Sequence, residues 1–232
     1  MTGMAEDNRK YAATALILAG GKSRRFGSDK ARLRLHDRDI VEMLAEECAK
    51  VCREVLVITD SGCKFLPPRV DFFREVADNY RESGPMGGLQ AGLAAARYDL
   101  CLLTACDMPL LTAPLMELFL KHSQGHDIVL PQDGEDIEPM FGVYRKSLLP
   151  AVEDLLAAKR RSLLNLTRES DTLLLPKDVW QAAAASEDVF FNINYTDDYT
   201  KLIQGAADHG APPARKNFYK RFLQEQTFIK PK

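Results

Sequence analysis

The sequence has no apolar run near its start long enough to cross a bilayer: Ala12–Ala19 contains Thr14 and runs into Gly20-Gly21. The stretch ahead of it is polar, which argues against a secretory signal and leads us to expect a cytoplasmic protein. Charge of one sign is lacking too: the formal net charge is −2, so a general affinity for nucleic acid is excluded and any anion site must be local. The five cysteines are an odd number with no paired CxxC spacing, so neither a disulfide framework nor a zinc site is expected. Cys48 and Cys52, four apart, are expected to share a helix face without a second pair to complete a metal site, and Cys101 and Cys106 flank an apolar strand end.

What is present is a core-forming composition, 46% hydrophobic and 28% charged over 232 residues, enough for one α/β domain. Short runs predict strands at Thr14–Leu18, Val55–Thr59, Val70–Phe73, Leu100–Thr104, Ile128–Leu130 and Val189–Ile193. Between them, longer patterns predict helices at Ile40–Val51, Met86–Ala96, Thr112–His122, Ser147–Ala158 and Thr196–Ile203, with Thr112 and Thr196 as caps. Such alternation predicts a three-layer, doubly wound α/β fold with a mostly parallel sheet. The expected organisation is a polar extension over 1–11, one domain over 12–204, and a tail over 205–232. That tail is basic and aromatic, with Phe218 and Phe222 on one helix face, and is read as a docking segment for an acidic partner or as a self-packed terminus.

The chemistry concentrates where the first strand ends. Residues 14–30 run from an apolar strand into a loop with Gly20, Gly21 and Gly27 and the cations Lys22, Arg24, Arg25 and Lys30. Glycines let backbone N–H groups close on phosphate oxygens, and the cations neutralise a polyanion. The loop is not a P-loop, because Leu16 stands where the first glycine belongs, nor a dinucleotide fingerprint, because Lys22 stands two after Gly20. Asp107 follows the strand Leu100–Thr104, at the end of a sheet strand where ligands of open α/β folds bind. An aspartate there suits Mg²⁺, which keeps waters and takes oxygens from substrate phosphates. Gly84-Pro85-Met86-Gly87-Gly88 opens a helix with small residues, and Asp78 shortly before it is placed to accept hydrogen bonds from a base or sugar.

Leu18-Ala19-Gly20-Gly21, Arg25, Gly27 and Asp29-Lys30 resemble the N-terminal signature of molybdenum cofactor guanylyltransferases. Asp78 with Gly84-Pro85 and Gly88, Cys106-Asp107-Met108-Pro109, and Phe191-Asn192-Ile193-Asn194 resemble that family's later motifs. The resemblance implies a nucleotide-diphospho-sugar-transferase-like Rossmann fold and transfer of GMP from Mg-GTP to molybdopterin-bound molybdenum, releasing pyrophosphate. It implies that Leu18, Ala19, Gly20, Gly21, Lys22, Lys30, Asp78 and Asp107 bind the nucleotide, and that Asp107 holds Mg²⁺, with Mn²⁺ as a substitute. Lys30, Arg25 and Asp107 would act in catalysis, and Asn192, Asn194 and Arg161 would face the pterin. A molybdoenzyme or another cofactor-biosynthesis protein would meet the C-terminal tail.

This chain departs from the family pattern at Ile58-Thr59-Asp60, where an Asn-x-Asn is usual near the guanine, and at Glu138-Pro139, where a His-Pro pair is found. Alternatives are a cytidylyltransferase acting on the same pterin, a sugar-phosphate nucleotidyltransferase, or a non-catalytic nucleotide-binding module that delivers cofactor.

Overall fold

Tyr11–Leu18 forms the centre of the sheet because its alternate side chains find apolar partners on both faces. In the computed structural model, which describes residues 10–20, 34–35, 38–60, 73–80 and 83–193, Ala13, Ala15 and Ile17 join one core and Leu16 and Leu18 the other. The chain order is β1 (Tyr11–Leu18), β2 (Arg34–Leu35), β3 (Arg38–Asp39), α1 (Ile40–Val51), β4 (Cys52–Asp60), β5 (Arg74–Asp78), α2 (Pro85–Ala95), β6 (Leu100–Ala105) and α3 (Ala113–Lys121). It continues with β7 (Ile128–Asp133), β8 (Asp136–Ile137), β9 (Gly142–Arg145), α4 (Leu149–Ala157), α5 (Leu163–Arg168), β10 (Thr172–Pro176) and α6 (Lys177–Trp180).

The main sheet has the order β10-β7-β9-β6-β1-β4-β5, with β8 added to β7 and β2-β3 a separate ribbon. Strands β5, β4, β1 and β6 pair in parallel, as do β7 and β10, while β9 runs antiparallel between β6 and β7. Helices α1 and α3 pack one face with Phe119, Phe141 and Trp180, and α2, α4 and α5 pack the other. The predicted three-layer, mostly parallel fold is thus observed.

Differences in detail have local causes. Of the expected strand Val70–Phe73 only Phe73 is described, outside any strand, and the strand paired with β4 is Arg74–Asp78. Val189–Ile193 is not a strand: Phe191 N–H closes a turn on the Asp188 carbonyl at 2.8 Å and Ile193 N–H goes to the Asp107 carbonyl at 2.9 Å. Val189 and Ile193 are fully buried without a ladder, which is why their apolar pattern imitates a strand. Thr112 does cap α3 by position, but its side chain makes no capping bond. Glu47 of α1 instead accepts the Ala113 N–H at 2.9 Å, so one helix caps the next. The helix expected at Thr196–Ile203 and the tail lie outside the described residues.

At the amino edge of the sheet one carboxylate ties four elements. Glu54 accepts from the Thr14 hydroxyl at 2.8 Å, the Arg97 N–H at 2.7 Å and Arg74 at 3.2 Å. Burial alone would raise its pKa, but those three donors more than offset it and hold the carboxyl below its ordinary value. A group with a lowered folded pKa contributes stability above its unfolded value, near about 4.3, and loses it as pH falls through the folded value. Glu54→Gln is therefore expected to lower the melting temperature at pH 7 by several degrees, on the order of 1–3 kcal/mol for a hydrogen-bonded charge. Melting curves from pH 7 to 3 should show that gap closing as wild-type Glu54 protonates.

Candidate active site

The strand order reverses beside β1: β4 lies on one side and β6 on the other, both parallel to it. Crossover connections leave in opposite directions at this point, which is where open α/β sheets form a ligand crevice beyond the strands' carboxyl ends. Leu18 ends β1 at this edge, and Ala19 and Gly20 follow it. Two backbone bonds fix the strand ends there, Ala19 N–H to the Ile58 carbonyl at 2.8 Å and Cys106 N–H to the Leu18 carbonyl at 3.0 Å. Ala19 is buried and Gly20 exposed, so the chain surfaces at the residue where the glycine-rich loop begins.

Asp78 comes to the same edge at the end of β5, where its Oδ1 accepts the Tyr80 N–H at 2.7 Å. Helix α2 is driven against this turn because it opens with glycines. A Cβ on Gly87 would lie 2.9 Å from the Tyr80 carbonyl oxygen and 3.0 Å from Asp78 Oδ2, and one on Gly88 would lie 2.8 Å from a Leu18 methyl. The small residues thus bring Asp78 and Leu18 to one helix start.

Asp107 stands two residues past β6. The Met108 N–H closes a turn on the Ala105 carbonyl at 3.1 Å, and buried Met108, Leu110 and Leu111 anchor the connection to α3. The Asp107 carbonyl takes the Ile193 N–H, which brings Asn192 to the same place. Phe190, packed on Phe141 and Trp180 with ring centroids 5.3 and 5.0 Å away, pins that segment to the sheet.

Sequence reasoning marked Glu138 only as standing, with Pro139, where the family has a His-Pro pair, a departure at a polar contact to the second substrate, and did not count it among the candidate site residues. It follows β8, held by its own N–H to the Pro131 carbonyl at 3.3 Å, while the buried Tyr144 hydroxyl donates to the Pro139 carbonyl at 2.7 Å. Its Oε1 accepts the Met140 N–H at 2.9 Å. Burial raises the Glu138 pKa, the Met140 N–H opposes that, the Asp107 charge raises it further, and the Asn192 amide opposes again, with a net upward shift. No periodicity marks such a residue: only the fold brings residues 107, 138 and 192 together.

Thr59, in the segment that departs from the family's usual Asn-x-Asn, is 2% exposed and donates to Glu75 at 2.7 Å, so its hydroxyl is already engaged. Arg161 follows the carboxyl end of α4 and is exposed. Cys48 and Cys52 do not share a helix face, since α1 ends at Val51 and Cys52 opens β4; both are buried, and burial pushes Cys52 up to about 12 and Cys48 well above the usual thiol value. They stay protonated at neutral pH and pack as small apolar groups. Gly21, Lys22, Arg24, Arg25, Lys30 and Asn194 lie outside the described residues. Among the described residues no helix is long and apolar enough to cross a membrane.

Residues 15–173 match the model of the MobA-like NTP transferase domain. The chain belongs to this family. As a MobA-like NTP transferase it is a nucleotidyltransferase. Among its relatives, a protein named probable molybdenum cofactor guanylyltransferase from Pelotomaculum thermopropionicum is 31% identical over 192 residues, 82% of this chain and 91% of that one. The molybdenum cofactor guanylyltransferase of Syntrophotalea carbinolica is likewise 31% identical over 192 residues, 81% and 89% of the two chains. The fold is shared with a molybdopterin-guanine dinucleotide biosynthesis protein A from Archaeoglobus fulgidus, at a TM-score of 0.71 and 22% identity over 84% of this chain and 98% of that one.

Proposed function

We propose that this MobA-like NTP transferase moves GMP from GTP to molybdenum-bound molybdopterin, forming the guanine dinucleotide cofactor and pyrophosphate. The observation that carries the reading is the meeting of Asp107, Asn192 and the Leu18–Gly20 segment at the reversal of strand order, in a chain whose relatives bear the guanylyltransferase name.

The chain's own groups divide the work. Gly20 and Gly21, with Lys22, Arg25 and Lys30, receive the triphosphate and take up charge on the departing pyrophosphate. Asp78 accepts hydrogen bonds from the nucleoside, and Asn192, Asn194 and Arg161 orient the pterin. A pterin phosphate is already ionised near neutral pH, so its in-line attack on the α-phosphorus needs no base from the protein. Among the described residues no three acidic, histidine or cysteine side chains form a metal cage. Asp107 with a second carboxylate, Glu138, within electrostatic reach suits Mg²⁺ or Mn²⁺, whose remaining ligands are water and phosphate. Bound there, the metal supplies charge neutralisation between the phosphates.

Following pyrophosphate release with each triphosphate, with and without molybdopterin, tests the proposal. Release is expected only with GTP and the pterin together. Release with CTP alone among the triphosphates, or with a sugar phosphate in place of the pterin, would assign another transferase.

One substitution reports on the nucleotide side. Gly87→Ala places a methyl 2.9 Å from the Tyr80 backbone carbonyl, which cannot swing aside as a side-chain tip can, and 3.0 Å from Asp78 Oδ2, and so shifts the Asp78 turn. We expect the KM for the triphosphate to rise about tenfold, or ~1.4 kcal/mol. Gly88→Ala meets only a Leu18 methyl, which can rotate aside, and should change KM less than threefold, on the order of 0.6 kcal/mol.

A further inference from the structure

Tyr80 and Val179 are the large hydrophobic residues left exposed among the described residues, and Tyr80 stands just beyond Asp78 at the end of β5. A lone exposed ring means little by itself. What distinguishes this one is the backbone beneath it, which is fixed from three sides. Its N–H donates to Asp78 Oδ1 at 2.7 Å, and its carbonyl accepts the N–H of buried Ser83 at 3.1 Å. From α2, Gly87 packs so close that a Cβ there would lie 2.9 Å from the same carbonyl oxygen and 3.0 Å from Tyr80 Cβ. That point is also 3.0 Å from Asp78 Oδ2, so the root of the Tyr80 side chain and the Asp78 carboxylate stand against one spot of the helix. A ring that is 38% exposed is thus held beside the carboxylate assigned to the nucleoside.

We propose that Tyr80 is a stacking platform for the base of the bound nucleoside triphosphate, covering one face of a purine while Asp78 accepts hydrogen bonds from the nucleoside. This rests on the reading of the site as one that takes GTP. Tyrosine offers a large flat contact with only two side-chain torsions to order, and here the backbone that carries it is already ordered. A purine is favoured because its fused rings cover more of the phenol than a pyrimidine does, and the stabilisation grows with the apolar area taken out of water. At the end of neighbouring β4, Thr59 is buried with its hydroxyl committed to Glu75, so it offers a base no hydrogen bond and contact with the ring face gains in weight.

The test separates the base from the phosphates. The full chain is titrated calorimetrically with GTP and Mg²⁺, and in parallel with inorganic tripolyphosphate and Mg²⁺, which carries the same charge but has no base. Tyr80→Ala is expected to raise the Kd for GTP about tenfold, within the range found when an aromatic partner of a base is truncated, and to change the Kd for tripolyphosphate less than about twofold. Tyr80→Phe keeps the ring and should bind GTP within about threefold of wild type, because a face contact does not need the hydroxyl. Tyr80→Leu keeps bulk without a flat face and should recover only part of the loss.

An unchanged Kd for GTP in Tyr80→Ala, or a leucine variant that binds as well as the phenylalanine one, would overturn the proposal. So would equal weakening of GTP and tripolyphosphate, which would mark Tyr80 as a prop for the Asp78 turn, and so would a raised KM for molybdopterin with GTP binding intact, which would turn the ring toward the second substrate. Wild-type protein that binds GTP through Tyr80 but transfers nothing to molybdopterin removes the functional reading and leaves the platform. Wild-type transfer with no change of GTP binding in Tyr80→Ala removes the platform alone.

Discussion

Asp107→Ala is expected to reduce turnover by at least about a thousandfold, because its carboxylate would hold the Mg²⁺ that neutralises phosphate charge under the proposed function. The position makes this more than a local deletion. Asp107 lies just beyond β6, at the side of β1 where the strand order reverses, in the crevice between oppositely directed crossovers. Its backbone carbonyl receives the Ile193 N–H, and that bond survives the substitution because the side chain takes no part in it. The fold around it, anchored by buried Met108, Leu110 and Leu111, should therefore melt within a few degrees of wild type. Asp107→Asn keeps the shape and removes the charge, so it separates electrostatics from packing and should be nearly as inactive. The measurement is kcat for pyrophosphate release with GTP, molybdopterin and Mg²⁺, beside a melting curve for each variant. A kcat within tenfold of wild type in Asp107→Ala would remove Asp107 from the mechanism.

Glu138 is where an Asp107 substitution has a second consequence. The Asp107 charge is among the causes that raise the Glu138 pKa, so removing it relaxes the neighbouring carboxylate toward its ordinary value. Glu138 then becomes easier to ionise while the turn after β6 loses its anion.

The elements that sequence alone located well are those whose pattern reflects local packing. Helix α1 runs from Ile40 to Val51 as the spacing of Ile40, Val41, Leu44, Cys48 and Val51 requires, since all five face the core. Strands β1, β4 and β6 read as continuous apolar runs because they are covered on both faces. The position of Asp107 was legible for the same reason, since it follows the stop of the β6 run, whereas Asp78 was picked out by its place ahead of Gly84-Pro85 and not by its strand, whose residues Arg74–Asp78 are only partly buried. Harder to read were residues whose role depends on distant partners. Strand β9 is only Gly142–Arg145, and its place between β6 and β7 follows from pairings with Leu100–Leu103 and with Ile128–Val129. Glu138 belongs to the connection leading into it and acquires its neighbours only when β9 is inserted. Val189–Ile193 misled in the opposite sense, because burial without a ladder gives the same apolar spacing as a strand. Glu47 capping α3 from α1 has no local signature at all.

Lys30→Ala should lower kcat by about two to three powers of ten, the usual cost of removing one electrostatic contributor to a transition state. The argument comes from the charge balance of the site. The carboxyl ends of β5 and β6, on either side of β1 and β4, bring Asp78 and Asp107 to one edge of the sheet, with the Glu138 carboxylate within electrostatic reach of Asp107, so that edge is acidic. A triphosphate cannot settle against acids without cations opposite, and four of the residues from Lys22 to Lys30 are cationic. Within that run Lys30 is expected to act on the pyrophosphate as it departs, where charge grows most, so its loss should fall on kcat more than on KM. Lys30→Arg keeps the charge but exchanges a compact ammonium for a planar fork, and should recover only part of the rate. Stopped-flow or quenched assays of pyrophosphate release at saturating GTP separate the two parameters. Should Lys30→Ala raise KM for GTP alone and leave kcat intact, the lysine serves to hold the ground state and the leaving-group charge must fall to Arg25 and the glycine backbone instead.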